Sequence, residues 1–435
     1  MKIPKIQNFK INPFLNSFKS TIGTVYNSAK ADSFSYCADD FNKDVLVKRG
    51  IIPENKNLSE FFDEVSAKVF KDENAKTFSS LLKGGYITLS TSCYTDLSSP
   101  YSAKGIGLKP SIYPSGACAI LEDEISKGRG IGINFSKFNN PIEYIRKINS
   151  YFKYREPSLK RPPAGIALLN VNHPQILDFI TLKDDEDFKN WCFDLSVVIP
   201  KDFISKVKNN ENIELTNGKK LSAREIYGTL VNSMTKTGEP GIIISNDKDY
   251  LCDCCAAVPL KENEGLTLGH INLSKFYHNS KLDKELLNKS ADILSKAMKN
   301  IDPNGYIGVL GYQTLLDKMG LNYGEAEANK VLEECLAIIK IETAKNGIKT
   351  AISPTGNISK FLNVSPSIEP VDNSKVSYYQ EIDTLILAQK YTDGNISKTI
   401  ILKPNHNIED VDNILMYCMD KELKGISVYK KPQTP

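Results

Sequence analysis

The stretch GIIISNDKDYLCDCCAAVPL, residues 241–260, places three of the chain's nine cysteines, Cys252, Cys254 and Cys255, within four positions. Gly241 to Ser245 is an apolar run that ends at the turn formers Asn246 and Asp247, the pattern of a buried strand running out into a loop. The cysteines follow within ten residues of that turn, and their concentration points to sulfur chemistry. Three readings of the residues compete. Free cysteine is among the most buried residue types and packs as a small apolar side chain. A metal is the second, but zinc takes four ligands, commonly as two closely spaced pairs. No second pair is present, and His173, His270, His278 and His406 are scattered. Radical or nucleophilic thiol chemistry is the third.

Outward from this stretch, a chain of 435 residues fits one large α/β domain or two ordinary ones. Apolar content of 41% and charged content of 25% are those of a soluble globular protein. A net charge of +3 from 55 basic and 52 acidic residues makes no case for a nucleic-acid partner. The apolar runs fall well short of the ~18 residues that span a bilayer. The N-terminus, MKIPKIQNFKINPF, lacks the apolar core of a signal peptide. The expectation is a cytoplasmic protein with no membrane partner, its odd number of irregularly spaced cysteines kept as free thiols.

Alternating strand and helix patterns run along most of the chain. Residues 1 to about 50 lack periodicity and are expected to form an extended arm. Helical spacing covers Leu58 to Leu82, with Ser59 as a cap. Strands are predicted at 87–90, 130–136, 166–171, 195–199, 241–245, 350–353, 398–402 and 425–429. Helices are predicted at 120–125, 174–182, 201–207, 223–235, 282–298, 313–319, 324–345 and 410–421. Gly105 to Gly116 reads as loop, and the region between the strands at 350 and 398 as loop-rich. This alternation implies an α/β fold with a largely parallel, helix-covered sheet. No Gly, Ser or Pro rich linker divides it. The simplest partition is an N-terminal arm and helical segment, residues 1–83, and one α/β domain, residues 84–435.

The second informative segment is Ser353, Pro354, Thr355, Gly356, Asn357, Ile358 and Ser359. Pro fixes its φ, Gly lets the backbone approach a ligand, and the hydroxyls of Thr355 and Ser359 with the free amides of a following helical turn suit phosphate. The same residues also make an ordinary turn. Gly128, Gly130 and Gly132 form a GxGxG string, but it enters a strand instead of leaving one, which disfavours a dinucleotide fold.

Taken in chain order, these segments resemble the catalytic subunit of a ribonucleotide reductase. The resemblance runs from about Gly84 to Tyr429. It rests on TLSTSC (88–93), GIGINFS (130–136), NHPQILDFITLK (172–183), GEPGIII (238–244), the cysteine segment with VPL and then GHINLSKF (269–276), IGVLGYQTLLDKMGLNYG (307–324), SPTGNIS (353–359) with SIEP (367–370), and SKTIILKP ending in LKGISVYK. It implies a ten-stranded α/β barrel with a central finger loop, and an oxidoreductase that converts ribonucleotides to deoxyribonucleotides through a thiyl radical.

Counted back from Pro259 and Leu260, the radical cysteine falls on Cys255; Cys254 would require a one-residue shift. Cys93 takes the position of the first reducing thiol, at the end of the first barrel strand, beside Ser92 as a substrate contact. Asp253 stands where the family has Asn. Pro354, Thr355, Gly356, Asn357 and Ser359 would hold substrate phosphates, and Glu369 is a candidate substrate contact. The resemblance is greatest to the cobalamin-dependent class, because Val428 and Lys430 flank Tyr429 and deny it the adjacent tyrosine that relays a radical from a separate metal subunit. Adenosylcobalamin is therefore the implied cofactor, with such a subunit as the alternative. No metal ligands are assigned. A ribonucleotide, an external reductant and a monomer or homodimer complete the implied partners.

Four departures bear on the chemistry. Ala257 stands where the family carries the glutamate that deprotonates the 3′-hydroxyl, a role alanine cannot fill. Leu266 stands where the second reducing thiol is expected, leaving Cys252 or Cys254 as auxiliary thiols. The tail KKPQTP has no cysteine pair for thiol exchange. The charged, aromatic segment at 142–163 replaces a Ser and Gly rich loop. Three readings stay open: a minimal reductase, an offshoot that uses the same barrel and radical cysteine on another substrate, and a nucleotide-binding homologue without catalysis.

Overall fold

A computed structural model describes residues 40–184, 190–371, 375–396 and 399–430. Most of the expected N-terminal arm lies outside these residues. The barrel wall is built from β1 (Ile87–Leu89), β2 (Ala103–Ile106), β3 (Gly130–Asn134), β4 (Gly165–Asn170), β5 (Phe193–Ile199) and β6 (Gly241–Ile244). A hairpin follows, formed by β7 (Leu251–Cys252) and β8 (Pro259–Leu260). Then come β9 (Gly265–Leu266), β10 (Leu268–Asn272), β11 (Tyr306–Leu310), β12 (Lys349–Thr350), β13 (Thr399–Leu402) and β14 (Gly425–Lys430).

The pairings close a ring of ten. Strands β2, β3, β4, β5 and β6 are successively parallel. β6 meets β14 antiparallel, and β14 lies parallel to β13. A parallel bridge between Ile352 and Ile396 joins the chain leaving β12 to the chain entering β13. β12, β11 and β10 are parallel. β9 and β10 are separated only by Thr267 and act as one bent strand, whose β9 end pairs antiparallel with β2. Two parallel five-stranded halves thus run in opposite directions and meet at two antiparallel seams. The expected ten-stranded barrel is present.

β1 pairs antiparallel with β10 and β2 with β9, so β1 and β2 are two parts of one interrupted strand. The excursion between them holds the short helix Thr91–Thr95, which carries Cys93. Cys93 therefore lies in an interruption of the first strand instead of at its end. The expected loop at 105–116 contains the end of β2 and the start of the helix Pro114–Ser126. Gly105 misleads because it marks a close approach: a Cβ there would lie 3.0 Å from the Lys261 carbonyl oxygen.

Helices cover the wall. Pro141–Arg155 seats Phe152 against Phe193, whose rings stack at 5.0 Å, so Phe193 faces the helical layer. The single helix expected over 58–82 is two, Leu58–Val69 and Asn74–Lys83. Asp72 Oδ1 accepts the amide of Asn74, a local turn that competes with helix continuation. The first of these helices is capped by Asn57, whose side chain accepts the amides of Ser59 and Glu60, and not by Ser59. Within the region read as loop-rich, Tyr378–Gln389 is a helix opened by a capping box between Ser377 and Gln380. Among the described residues no helix is long and apolar enough to cross a membrane.

Candidate active site

The barrel is filled by the finger, residues 245–264, which enters from the end of β6 and turns at Asp253 to Val258. Glycines make room for it. A Cβ on Gly132 would stand 1.8 Å from the carbonyl oxygen of Cys252, and one on Gly130 would stand 2.2 Å from Cys254 Sγ. The glycine-spaced strand is thus the track on which the hairpin lies. Four polar contacts hold the finger there. Asn134 Nδ2 donates to the Tyr250 carbonyl at 3.0 Å, and Asn170 Nδ2 to that of Lys248 at 2.9 Å. The Asn395 amide donates to the Ala257 carbonyl at 2.8 Å, and its side chain to Tyr250 Oη at 2.7 Å. Neither Asn395 nor Tyr250 was legible as a site residue, since both are ordinary polar residues until the barrel brings them together.

Asp253 builds the tip. Its Oδ1 accepts the Val258 amide at 2.7 Å and its Oδ2 the Cys255 amide at 3.1 Å, both within a buried turn. Burial raises its carboxyl from 3.8 to about 6, against the amide bonds that favour the charge. The protonated form is therefore the easier one to bury. The stability this group lends is complete below about pH 4 and is lost as pH rises through 6. The shift corresponds to roughly 3 kcal/mol. Asp253→Asn is expected to flatten the fall in urea midpoint between pH 4 and 6. An equally steep profile in the variant would remove Asp253 as its source.

The three finger cysteines divide between two apolar groups and differ in exposure. Cys252 is fully buried among Ile166, Leu168, Val198, Ile243 and Tyr250. Cys254 packs with Ala103, Ala257, Leu266, Leu268 and Ala351. Cys255 alone is half-buried, with its Sγ 3.7 Å from that of Cys254. The hydrogen bond to Cys254, burial and the charges of Asp253 and Asp194 push the Cys255 thiol well above its ordinary range. It stays protonated at neutral pH, which favours hydrogen-atom transfer over nucleophilic attack by a thiolate.

Asp253, Cys254 and Cys255 put three ligand atoms within 4.8 Å of one another. That is one short of zinc's usual four, and both Asp253 oxygens already accept amide hydrogens. All eight described cysteines are free.

Cys93 is fully buried, with Sγ 3.2 Å from Ser90 Oγ and 3.8 Å from the Leu268 carbonyl, and burial raises its thiol to about 11. Ser92 Oγ lies 2.9 Å from Ser90 Oγ. Leu268 also packs in the apolar group around Cys254, which ties Cys93 to the finger tip through one residue. Leu266 fills the same group, in which Cys254 is the buried sulfur and Cys255 packs against the edge.

The SPTGNIS segment leaves β12 and opens the helix Gly356–Leu362. Thr355 Oγ1 accepts the Ser367 amide at 2.8 Å and Ser359 Oγ donates to the Gly356 carbonyl at 3.2 Å, so both hydroxyls brace the turn. Pro354 and Gly356 are exposed, Asn357 is half-exposed, and a Cβ on Gly356 would meet open space. The amides of the first helical residues precede the first intrahelical bond, Ser359 to Thr355, which is the geometry that receives anions. His270 Nε2 lies 3.3 Å from Ser353 Oγ, and burial lowers this imidazole to about 4, keeping it neutral. Glu369 is half-buried beside this turn, its amide bonded to the Pro366 carbonyl.

Because the halves are antiparallel, the turn leaving β12 shares one barrel end with the starts of β3, β4 and β5. Cys254 touches both Gly130 at the start of β3 and the group containing Ala351, just past β12. The finger tip and the SPTGNIS turn therefore open to the same mouth.

A ten-stranded barrel of two opposed halves, with a protonated cysteine carried through its centre on a hairpin, defines a barrel protein built around a central thiol. Residues 124–351, just over half of the chain, match the profile of the ribonucleotide reductase barrel domain, and the chain belongs to that family. It is 24% identical over 440 aligned positions to the vitamin B12-dependent ribonucleoside-diphosphate reductase of Thermoplasma acidophilum, covering 70% of this chain and 57% of that protein. The protein of the same name from Mycobacterium tuberculosis is 24% identical over 294 positions, covering 54% and 42% respectively. The chain thus spans about half the length of these relatives. The Actinobacillus ureae class Id ribonucleotide reductase alpha subunit shares the fold with a TM-score of 0.73 at 15% identity, covering 90% of this chain and 97% of that one.

Proposed function

We propose that this protein reduces ribonucleotides to deoxyribonucleotides through a thiyl radical on Cys255. The observation that carries the reading is the placement of one half-exposed, protonated thiol on the finger tip, at the mouth where the SPTGNIS turn opens. Loss of the hydrogen atom from Cys255 Sγ leaves a sulfur that can take hydrogen from the ribose. Cys93 and Cys254 are the proposed reducing thiols, since Cys254 occupies the apolar group that Leu266 also fills. Cys252 is turned away from them and serves packing. Gly356 and Asn357 receive the substrate phosphates, with Pro354, Thr355 and Ser359 shaping the turn. Ser92 and Glu369 are proposed as further substrate contacts, and an external dithiol or equivalent restores the thiols.

The names of the relatives support adenosylcobalamin as the cofactor, with a separate metal-containing subunit as the alternative. When bound, adenosylcobalamin supplies the radical that removes hydrogen from a thiol, and the accessible Cys255 suits that demand. The proposed organisation remains residues 1–83 ahead of a barrel over residues 84–435. The lack of a carboxylate at Ala257 favours a second reading, the same barrel and cysteine acting on a different substrate.

The decisive experiment incubates the purified protein with adenosylcobalamin, dithiothreitol and each ribonucleoside di- and triphosphate. Deoxynucleotide and a cobalt-coupled thiyl signal in electron resonance are expected. Nucleotide binding with neither product nor signal would overturn the reading.

A further inference from the structure

We infer that Asp194 supplies the carboxylate that the finger tip lacks, taking the proton of the substrate hydroxyl beside Cys255; this rests on the reductase reading above. The placement follows from strand alternation. Phe193 stacks on Phe152 of the helical layer, so the alternate residues Asp194, Ser196 and Val198 face the barrel interior. Val198 confirms that face, because it packs with Cys252 and Tyr250 of the finger. In register, Asp194 lies opposite Ile166, and Ile166 opposite Gly132, the residue over which the Cys252 carbonyl passes. Asp194 thus stands two strands from the finger track, at the starts of the first-half strands and at the mouth where the SPTGNIS turn opens.

Asp194 is the one exposed residue of β5, while every other residue of that strand is buried. A carboxylate on an interior face that keeps access to solvent is placed to meet a ligand. Its position is set from both sides by one buried ion pair. Lys183 Nζ lies 2.8 Å from each oxygen of Glu239 and donates to the Phe193 carbonyl, and Glu239 Oε2 accepts the Leu195 amide at 2.8 Å. The residues before and after Asp194 are therefore pinned, and Lys183 and Glu239 are positioning residues. Enclosure in the barrel raises the Asp194 carboxyl and the Lys183 ammonium opposes that rise. Asp194 is also among the charges that raise the Cys255 thiol, which places the two groups within electrostatic reach.

The chemistry is a proton transfer. The O–H bond of the substrate hydroxyl breaks, its electron pair stays on the substrate oxygen, and the proton passes to an Asp194 oxygen. The hydrogen atom that Cys255 removes leaves from carbon, so the proton step consumes no oxidant.

The test uses the full chain with adenosylcobalamin and dithiothreitol, comparing wild type with Asp194→Asn and Asp194→Glu. A general base contributes about 10²- to 10⁴-fold. Asp194→Asn is expected to lower kcat by about 100-fold or more, with KM little changed and the acid limb of the pH–rate profile gone; Asp194→Glu should recover part of the rate. In the cofactor-free protein, alkylation of Cys255 by iodoacetamide, mapped by peptide mass, should shift to lower pH in Asp194→Asn. Product at the wild-type rate from Asp194→Asn would overturn the inference and leave the reductase reading standing. An unmoved alkylation profile would also overturn it, by placing the carboxylate out of reach of the thiol. Absence of product from the wild type would overturn both.

Discussion

Cys255→Ala is expected to reduce deoxynucleotide formation to background while the protein stays folded. The removed sulfur is half-exposed, and its nearest polar partner is another thiol, Cys254 at 3.7 Å. Truncation there forfeits little buried area, so the cost in stability is expected to be about 1 kcal/mol or less. The chemical loss is complete because a methyl group offers no S–H bond weak enough to exchange hydrogen with the ribose. Cys254→Ala is the control that separates the neighbours. It leaves the radical carrier in place but removes one thiol of the proposed reducing pair, so the radical signal should persist while deoxynucleotide does not form. Product assays, circular dichroism and electron resonance on both variants decide the matter, and a rate unchanged by Cys255→Ala would end the thiyl assignment.

The largest structural effect is expected from Gly132→Ala. The added Cβ would stand 1.8 Å from the Cys252 carbonyl oxygen and 3.0 Å from its carbon, so relief requires one backbone to move from another. Cys252 is paired with Pro259 across the hairpin, and the preceding Tyr250 is held at its carbonyl by Asn134 and at its hydroxyl by Asn395. A shift of the finger breaks these bonds together. Overpacking of a filled core typically costs 1 to 3 kcal/mol, and a backbone collision lies at or beyond the upper end, about 3 kcal/mol. Activity should fall further than stability, since the tip that presents Cys255 is what moves. Gly130→Ala meets a side-chain sulfur, a softer obstacle, and should be milder. A Gly132→Ala protein with wild-type melting temperature would show that the finger does not rest on β3.

Much of the barrel was legible because its signals are local. The apolar runs at 166–171, 195–199 and 241–245 are the interior strands β4, β5 and β6, and helical periodicity found the long covering helices. The Ser377–Gln380 capping box was also available and would have found the helix Tyr378–Gln389. Tyr306–Leu310 was missed because a short apolar run beside a helix carries no period of its own. Ring closure was illegible for another reason. It depends on β9 and β10 acting as one bent strand and on a single bridge at Ile352 and Ile396, contacts between residues far apart in sequence.

In the site, a cysteine cluster with a defined distance to Pro259 and Leu260 marked the finger tip without knowledge of its surroundings. The amino-acid sequence by itself determined the alternation of elements, the resemblance to the family and the cysteine cluster that becomes the finger tip, because each is written in residues adjacent along the chain. Tertiary structure alone decided which thiol is accessible, why Gly130 and Gly132 must be glycine, and that Asp194 faces the finger. Those properties arise from what one strand meets across the barrel, and an aspartate just ahead of the apolar run at 195–199 carries no local mark of the face it will occupy.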